Sequence, residues 1–276
     1  MADDKQRAAT DRSEFLKSMR NGAILGAVVL AIVLPWKFMN SSKQAQPPAS
    51  VAVAPAPATG IAKPAAAVRQ HVPRLANFGN EVASADARHV ANWALYSGDN
   101  QSKSVVVVDK KAARVYVFSP QGELQGATSA LLGSAHGDHT VPGIGDKPLS
   151  QVLPEEKTTP AGRFVAELGI NTNHEDIVWV DYEAAVSMHR VRPNVKSERR
   201  LQRLASATAD DNRISFGCIN LPVAFYEGIL SPTVKRTGAI IYVLPETKTV
   251  QEQFASYDVP ASLPVAHNVA QHVAQQ

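Results

Sequence analysis

Between residues 81 and 97 the apolar positions Val82, Ala83, Ala87, Val90, Ala91, Ala94 and Leu95 recur at helical spacing. This predicts one helix, with Gly98 as its stop. After it the period shortens. SVVVVD (104–109), ARVYVF (113–118) and LQGATSALLG (124–133) are β-branched or alternating, and Lys110, Lys111, Pro120 and Gly122 punctuate them. Further strands are expected at 162–168, 177–182, 185–190 and 239–244. Many short strands separated by turns predict a mostly β chain with a few helices, arranged as an antiparallel sandwich or barrel-like core. Two more helices are expected. SERRLQRLAS (197–206) carries Leu201 and Leu204 on one side, with Ser197 as its N-cap. The second starts at Pro222, in the first turn, and runs through VAFYEGIL. No internal repeat is found.

The two ends have other compositions. A charged segment, 1–20, carries Lys5, Arg7, Arg12, Lys17 and Arg20, and precedes an unbroken apolar run of 13 residues, 22–34, extended by Trp36, Phe38 and Met39. Residues 21–39 are therefore expected to be an uncleaved signal anchor, with a cleaved signal as the alternative. Basic residues before the span place 1–20 in the cytoplasm and the remainder outside it. Residues 40–68 are rich in Ala and Pro and nearly free of charge, a semi-extended linker. Residues 69–247 form the folded domain, and 248–276, with two histidines and no strong period, are expected to be a loosely ordered tail.

With 276 residues there is ample material for a core, and a formal charge of +3 is far from the concentrated basic footprint of a nucleic-acid binder. Nucleic acid is excluded as a partner. The chain has a single cysteine, Cys218, in RISFGCINLP. Outside the cytoplasm cysteines usually pair, so an unpaired one is an inert core residue, an intermolecular link or a nucleophile. A glycine turn leading into the helix at Pro222 would put Cys218 near a helix N-terminus, where the dipole lowers a thiol pKa. The amides of Gly217 and Cys218 would then face an oxyanion. Of the eight histidines, His189 ends the apolar strand AAVSMHRV, where its side chain can serve as general base in a shared cleft.

TTPAGRF (158–164), SMHRV and SFGCIN together resemble the YkuD-type L,D-transpeptidase catalytic domain over residues 103–245. The resemblance implies a YkuD-like β-sandwich with Cys218 as nucleophile and His189 as base. It places Ser215 and Gly217 in the turn and oxyanion region and Asn220 as a substrate-binding polar residue. The carbonyl of Arg190 is the candidate third member of the triad, and no metal or organic cofactor is implied. Two features depart from the family pattern. Position 216, often His, Lys or Arg there, is Phe216, and the spacer from His189 to Ser215 is unusually long at 25 residues.

That spacer holds seven basic and three acidic residues between 190 and 213. A basic lid there would attract the free carboxylates of peptidoglycan stem peptides, with Arg190 and Arg213 as first candidates because they flank the motif. The expected activity is cysteine acyl transfer on such stems at the bacterial cell envelope, with the domain in the periplasm and the anchor in the inner membrane, or secreted if the signal is cleaved. The alternatives are an L,D-carboxypeptidase using the same site, a catalytically inactive anchored peptidoglycan-binding module, and a zinc peptidase built on His136, Asp138 and His139 with His174 or Glu175.

Overall fold

The computed structural model describes residues 71–263. The expected cytoplasmic segment, anchor and linker lie outside the described residues. Among the described residues no helix is long and apolar enough to cross a membrane.

Helix α1 (Ala85–Ser97) ends, as expected, at Gly98 in the left-handed region, but it starts four residues later than the expected 81, capped by Ser84, whose hydroxyl accepts from the Ala87 N–H. Strands β1 (Ser104–Asp109), β2 (Arg114–Phe118), β3 (Leu124–Ser129) and β4 (Leu132–Gly133) follow. The expected strand at 162–168 is two, β5 (Gly162–Val165) and β6 (Glu167–Ile170), because the chain passes from one sheet to the other at Ala166. Next come β7 (Asp176–Asp181), β8 (Val186–Arg190), helix α2 (Arg200–Leu204), β9 (Arg213–Ser215) and β10 (Ile219–Leu221). Helices α3 (Val223–Phe225) and α4 (Ser231–Thr237) are joined by a π-helical stretch, Tyr226–Leu230, and are followed by β11 (Ala239–Val243) and helix α5 (Val250–Phe254).

The strands form a five-stranded sheet, β3-β2-β1-β11-β5, a four-stranded sheet, β10-β8-β7-β6, and the pair β4-β9. The chain is thus mostly β with a few helices. It is not purely antiparallel: β1 with β11, β8 with β10 and β4 with β9 run parallel. The run of valines in β1 has a direct cause. Val106 and Val108 face the four-stranded sheet, packing with Val178, Met188 and Ile219, whereas Val105 and Val107 face α1 and pack with Val90, Ala94 and Leu95. A sheet covered on both faces reads as continuous hydrophobic sequence.

Two expectations are corrected here. Residues following 247 are not loose up to the end of the described chain. Thr249 and Glu252 form a capping box, Val250 is buried, and Phe254 meets Tyr242 edge to face at 5.7 Å. The T-x-x-E spacing of TVQE was the available signal. Ser197 does not cap a helix: it lies in a short 3-10 turn, and α2 starts after Arg199, which adopts φ 51°.

Candidate active site

Strands β8 and β10 pair in parallel with Met188 opposite Ile219 and His189 opposite Asn220. Alternation along β8 sends Val186 and Met188 into the core and leaves Ser187 and His189 on the other face, on the wall of a cleft of about 360 Å³ that also holds Cys218. His189 and Cys218, 29 positions apart in sequence, are brought together by this pairing.

His189 Nδ1 lies 2.8 Å from the carbonyl oxygen of Arg190. A carbonyl only accepts, so Nδ1 carries the proton and Nε2 is left as an acceptor, in the cleft that also holds the thiol. Burial alone would push the Cys218 thiol up. The hydrogen bond and charge of His189, with the backbone N–H and hydroxyl of Ser187, outweigh it and hold the thiol below its ordinary value. Ser187 Oγ stands 3.7 Å from Sγ, and the Ala185 carbonyl accepts from it at 3.5 Å. Thiolate stabilisation therefore comes from β8. The expected helix dipole plays no part, because β10 separates Cys218 from α3.

The turn carrying the cysteine is clamped from three sides. Ser215 Oγ accepts from the Gly217 N–H at 3.0 Å and donates to the Cys218 carbonyl at 2.6 Å. Thr159 Oγ1, fully buried, accepts from the Gly133 N–H at 2.9 Å and donates to the Gly217 carbonyl at 2.8 Å. Asn220 Nδ2 donates to the Cys218 carbonyl at 3.3 Å. Gly217 has φ 135°, and a Cβ there would stand 2.7 Å from the Thr158 carbonyl oxygen, so the turn requires glycine.

Several expected binding residues are otherwise engaged. Gly217 spends its N–H on Ser215 and so has a turn role in place of the oxyanion role expected of it. Asn220 is buried, its Oδ1 accepting from Arg200 Nη1 at 2.6 Å, so it ties α2 to the cysteine strand and does not face substrate. Arg190 is fixed by Asp176 at 2.8 Å and Glu227 at 2.7 Å, and lies over the Tyr226 ring. Arg213 pairs with Glu246 and donates to the Lys110 carbonyl at 2.9 Å. Both arginines hold the scaffold, because each sits among acceptors fixed by the core elements.

The zinc arrangement does not form. Asp138 is fully buried against Lys110 at 3.0 Å and accepts from Thr247, and His136 pairs with Glu246 at 3.2 Å. Among the described residues no group of three or more His, Cys, Asp or Glu is placed to hold a metal ion.

No family model matches the chain, and no curated protein matches it in sequence. Among solved structures it is similar to an L,D-transpeptidase from Mycobacterium smegmatis, at 19% identity and TM-score 0.31 over 51% of this chain and 58% of that one. It is similar to the catalytic domain of the E. faecium L,D-transpeptidase, at 16% identity and TM-score 0.31 over 52% of this chain and 98% of that one. A third is the helical cell shape determining protein Pgp2 from Campylobacter jejuni, at 12% identity and TM-score 0.36 over 53% of this chain and 49% of that one. Likenesses of this size leave function to be argued from the site.

Four site residues escaped the sequence reading. Ser187 was legible as the position two before His189 on one strand face. Thr159 lay in the TTPAGRF stretch, but its hydrogen bonds reach Gly133 and Gly217 and leave no local pattern. Trp179 walls the cleft, its indole lying so close over Gly169 that a Cβ there would come within 2.3 Å of Nε1. Arg192 is the fourth, a charged member of the cleft wall. A second cleft, of about 520 Å³, shares Trp179 and Ala185 with the first and carries Asp146, Glu183 and Tyr182.

Proposed function

We propose that this chain is an L,D-transpeptidase-like cysteine acyltransferase acting on peptidoglycan stem peptides at the cell envelope. The observation that carries the proposal is His189, fixed by the Arg190 carbonyl, in one cleft with a Cys218 thiol whose pKa is held below its ordinary value. The SMHRV and SFGCIN motifs supply the substrate class. His189 Nε2 takes the thiol proton, and the thiolate attacks the carbonyl at the L-centre of the third stem residue. The carbon–nitrogen bond to the terminal D-alanine breaks, His189 returns the proton to the departing amine, and a thioester remains on Cys218. An acceptor amine, deprotonated by His189, then attacks the thioester and releases the thiol.

The two clefts meeting at Ala185 and Trp179 favour an amine as acceptor over water. Asp146 and Glu183 give the second cleft an acidic lining that attracts an ammonium group, while the first cleft carries Arg192. On this reading the product is a cross-link between stems or an amine-bearing protein joined to a stem. Water reaching the thioester gives the L,D-carboxypeptidase instead. The apolar segment 21–39 would hold the domain at the outer face of the inner membrane.

The test is mass spectrometry of the protein after exposure to a carbapenem, followed by analysis of products from tetrapeptide muropeptides. Acylation at Cys218 and release of D-alanine are expected. An unmodified mass together with an unreactive thiol would leave the binding module as the better reading.

A further inference from the structure

Cys218 and His189 apart, the cleft that holds them contains one residue able to carry full charge. Arg192 is the sole Lys or Arg on its wall, and neither Asp nor Glu is among the wall residues. Its polar neighbours, Asn171, Thr172 and Asn173, are neutral. Arg192 is positioned by Glu175, which accepts from Nη2 and from Asn171; the Arg192 hydrogen bond first, with help from Asn171, keeps the Glu175 carboxyl below the usual range.

This guanidinium is undersatisfied. Its Nε–H is covered and has no hydrogen-bond partner among the described residues, so a ligand in the cleft can meet it only through the Nη donors that the pairing to Glu175 leaves over. Arg213 also has one covered nitrogen without a partner, but Arg190, Arg200 and Arg203 differ. Arg190 places Nε, Nη1 and Nη2 on Glu227 and Asp176. Arg200 divides its donors between Glu198 and Asn220, and Arg203 between the carbonyls of Glu198 and Asp211. A cation oriented by Glu175 that keeps Nη donors to spare, in a cleft whose other lining residues apart from Cys218 and His189 are neutral, is placed to take a planar anion.

We infer that Arg192 binds a free carboxylate of the acyl-donor stem peptide, an inference that rests on the acyl-transfer reading. It lines the same cleft as the nucleophile, so a carboxylate caught there fixes which stem carbonyl meets Cys218. Three carboxylates of a diaminopimelate-containing tetrapeptide stem share this chemistry: that of the second residue, that of the diamino-acid side chain and that of the terminal D-alanine.

The experiment uses the full chain and a set of tetrapeptide stems in which each carboxylate is amidated in turn. For each stem kcat/KM for D-alanine release is measured with the unaltered protein, Arg192→Gln and Arg192→Lys. In the unaltered protein amidation of one carboxylate is expected to lower kcat/KM ~10- to 100-fold, the loss of a charge-assisted pair. In Arg192→Gln the ratio between the free and amidated stem should fall close to one, and in Arg192→Lys it should be intermediate. The stem whose ratio collapses names the carboxylate. If every free-to-amidated ratio is the same in Arg192→Gln as in the unaltered protein, the inference is wrong, because a merely structural loss scales both stems alike. If the unaltered protein releases D-alanine from none of the stems, it is the acyl-transfer reading that fails.

Discussion

Thr159 offers a sharp test of what holds the nucleophile in place. Its hydroxyl is the sole side-chain link between the Gly133 N–H and the Gly217 carbonyl, at 2.9 and 2.8 Å, in a site closed to solvent. Thr159→Val keeps the shape and removes both bonds, stranding a buried donor and a buried acceptor at about 1–3 kcal/mol each. The added methyl recovers part of this, so a net loss of about 2–4 kcal/mol is expected. Thr159→Ser keeps the hydroxyl and gives up one methyl, for about 1 kcal/mol. Denaturant unfolding of the two variants, followed by tryptophan fluorescence and compared at constant m, measures the difference. Because the released carbonyl is that of Gly217, Thr159→Val should also slow alkylation of Cys218, which Thr159→Ser should not. A valine variant as stable as the serine variant would refute the clamp.

The remaining expectations concern the reacting groups and the charges beneath them. Cys218→Ala should abolish D-alanine release and His189→Ala should lower it by ~100-fold or more, with unfolding midpoints little changed in both. Since His189 lowers the thiol pKa against burial, the alkylation rate of Cys218 plotted against pH should have its midpoint below that of an ordinary thiol. In His189→Ala, where burial persists without its counterweight, the midpoint should move upward; an unmoved midpoint would break the assignment. Asp138 is depressed: burial, which raises it, is overcome by Thr247, the Glu246 N–H and Lys110. The stability it contributes is present above the unfolded carboxylate pKa, about 3.9, and is lost as pH falls through the lower folded value. Acid unfolding should therefore steepen below about pH 4, and proton uptake on unfolding should shrink in Asp138→Asn. Lys110→Met, which leaves the buried Asp138 without its cation and takes one of the cations from Glu246, should cost about 3–5 kcal/mol by chemical denaturation.

The parts of this architecture written in local periodicity could be read from the chain, and those written in distant partners could not. α1 announces its end at Gly98, though it starts at Ala85 and not at 81, and the strands expected between Ser104 and Val243 fall close to their places, with β9 and β10 not among them. The split between β5 and β6 was hidden, since a strand that changes sheets keeps an extended backbone and an uninterrupted apolar pattern. The nucleophile and base were legible because each stands in a short motif. Their electrostatic support was not, because it depends on the register of β8 against β10. Arg190 and Arg213 were favoured for nearness in sequence, yet both are captured by carboxylates of neighbouring elements, Asp176 and Glu227 for the one and Glu246 for the other. Arg192, two positions after Arg190, emerges into the cleft instead.

Phe216 shows how a departure from the expected motif is made good in space. The resemblance leads one to expect a cation beside the nucleophile at this position, and an aromatic side chain cannot supply it. The ring is 43% exposed, and Lys157 Nζ sits 4.2 Å from its centroid, arriving from the residue just before TTPAGRF. A cation over an aromatic face is worth about 0.5–1 kcal/mol at an exposed site. A neighbouring loop thus brings a cation onto the ring that stands at this position. Lys157 and Phe216 therefore act as a pair. Lys157→Ala and Phe216→Ala should each change the rate of Cys218 alkylation by a negatively charged reagent, and the double variant should be no slower than the worse single one. Strict additivity of the two effects would separate them and leave Phe216 as a simple apolar substitution.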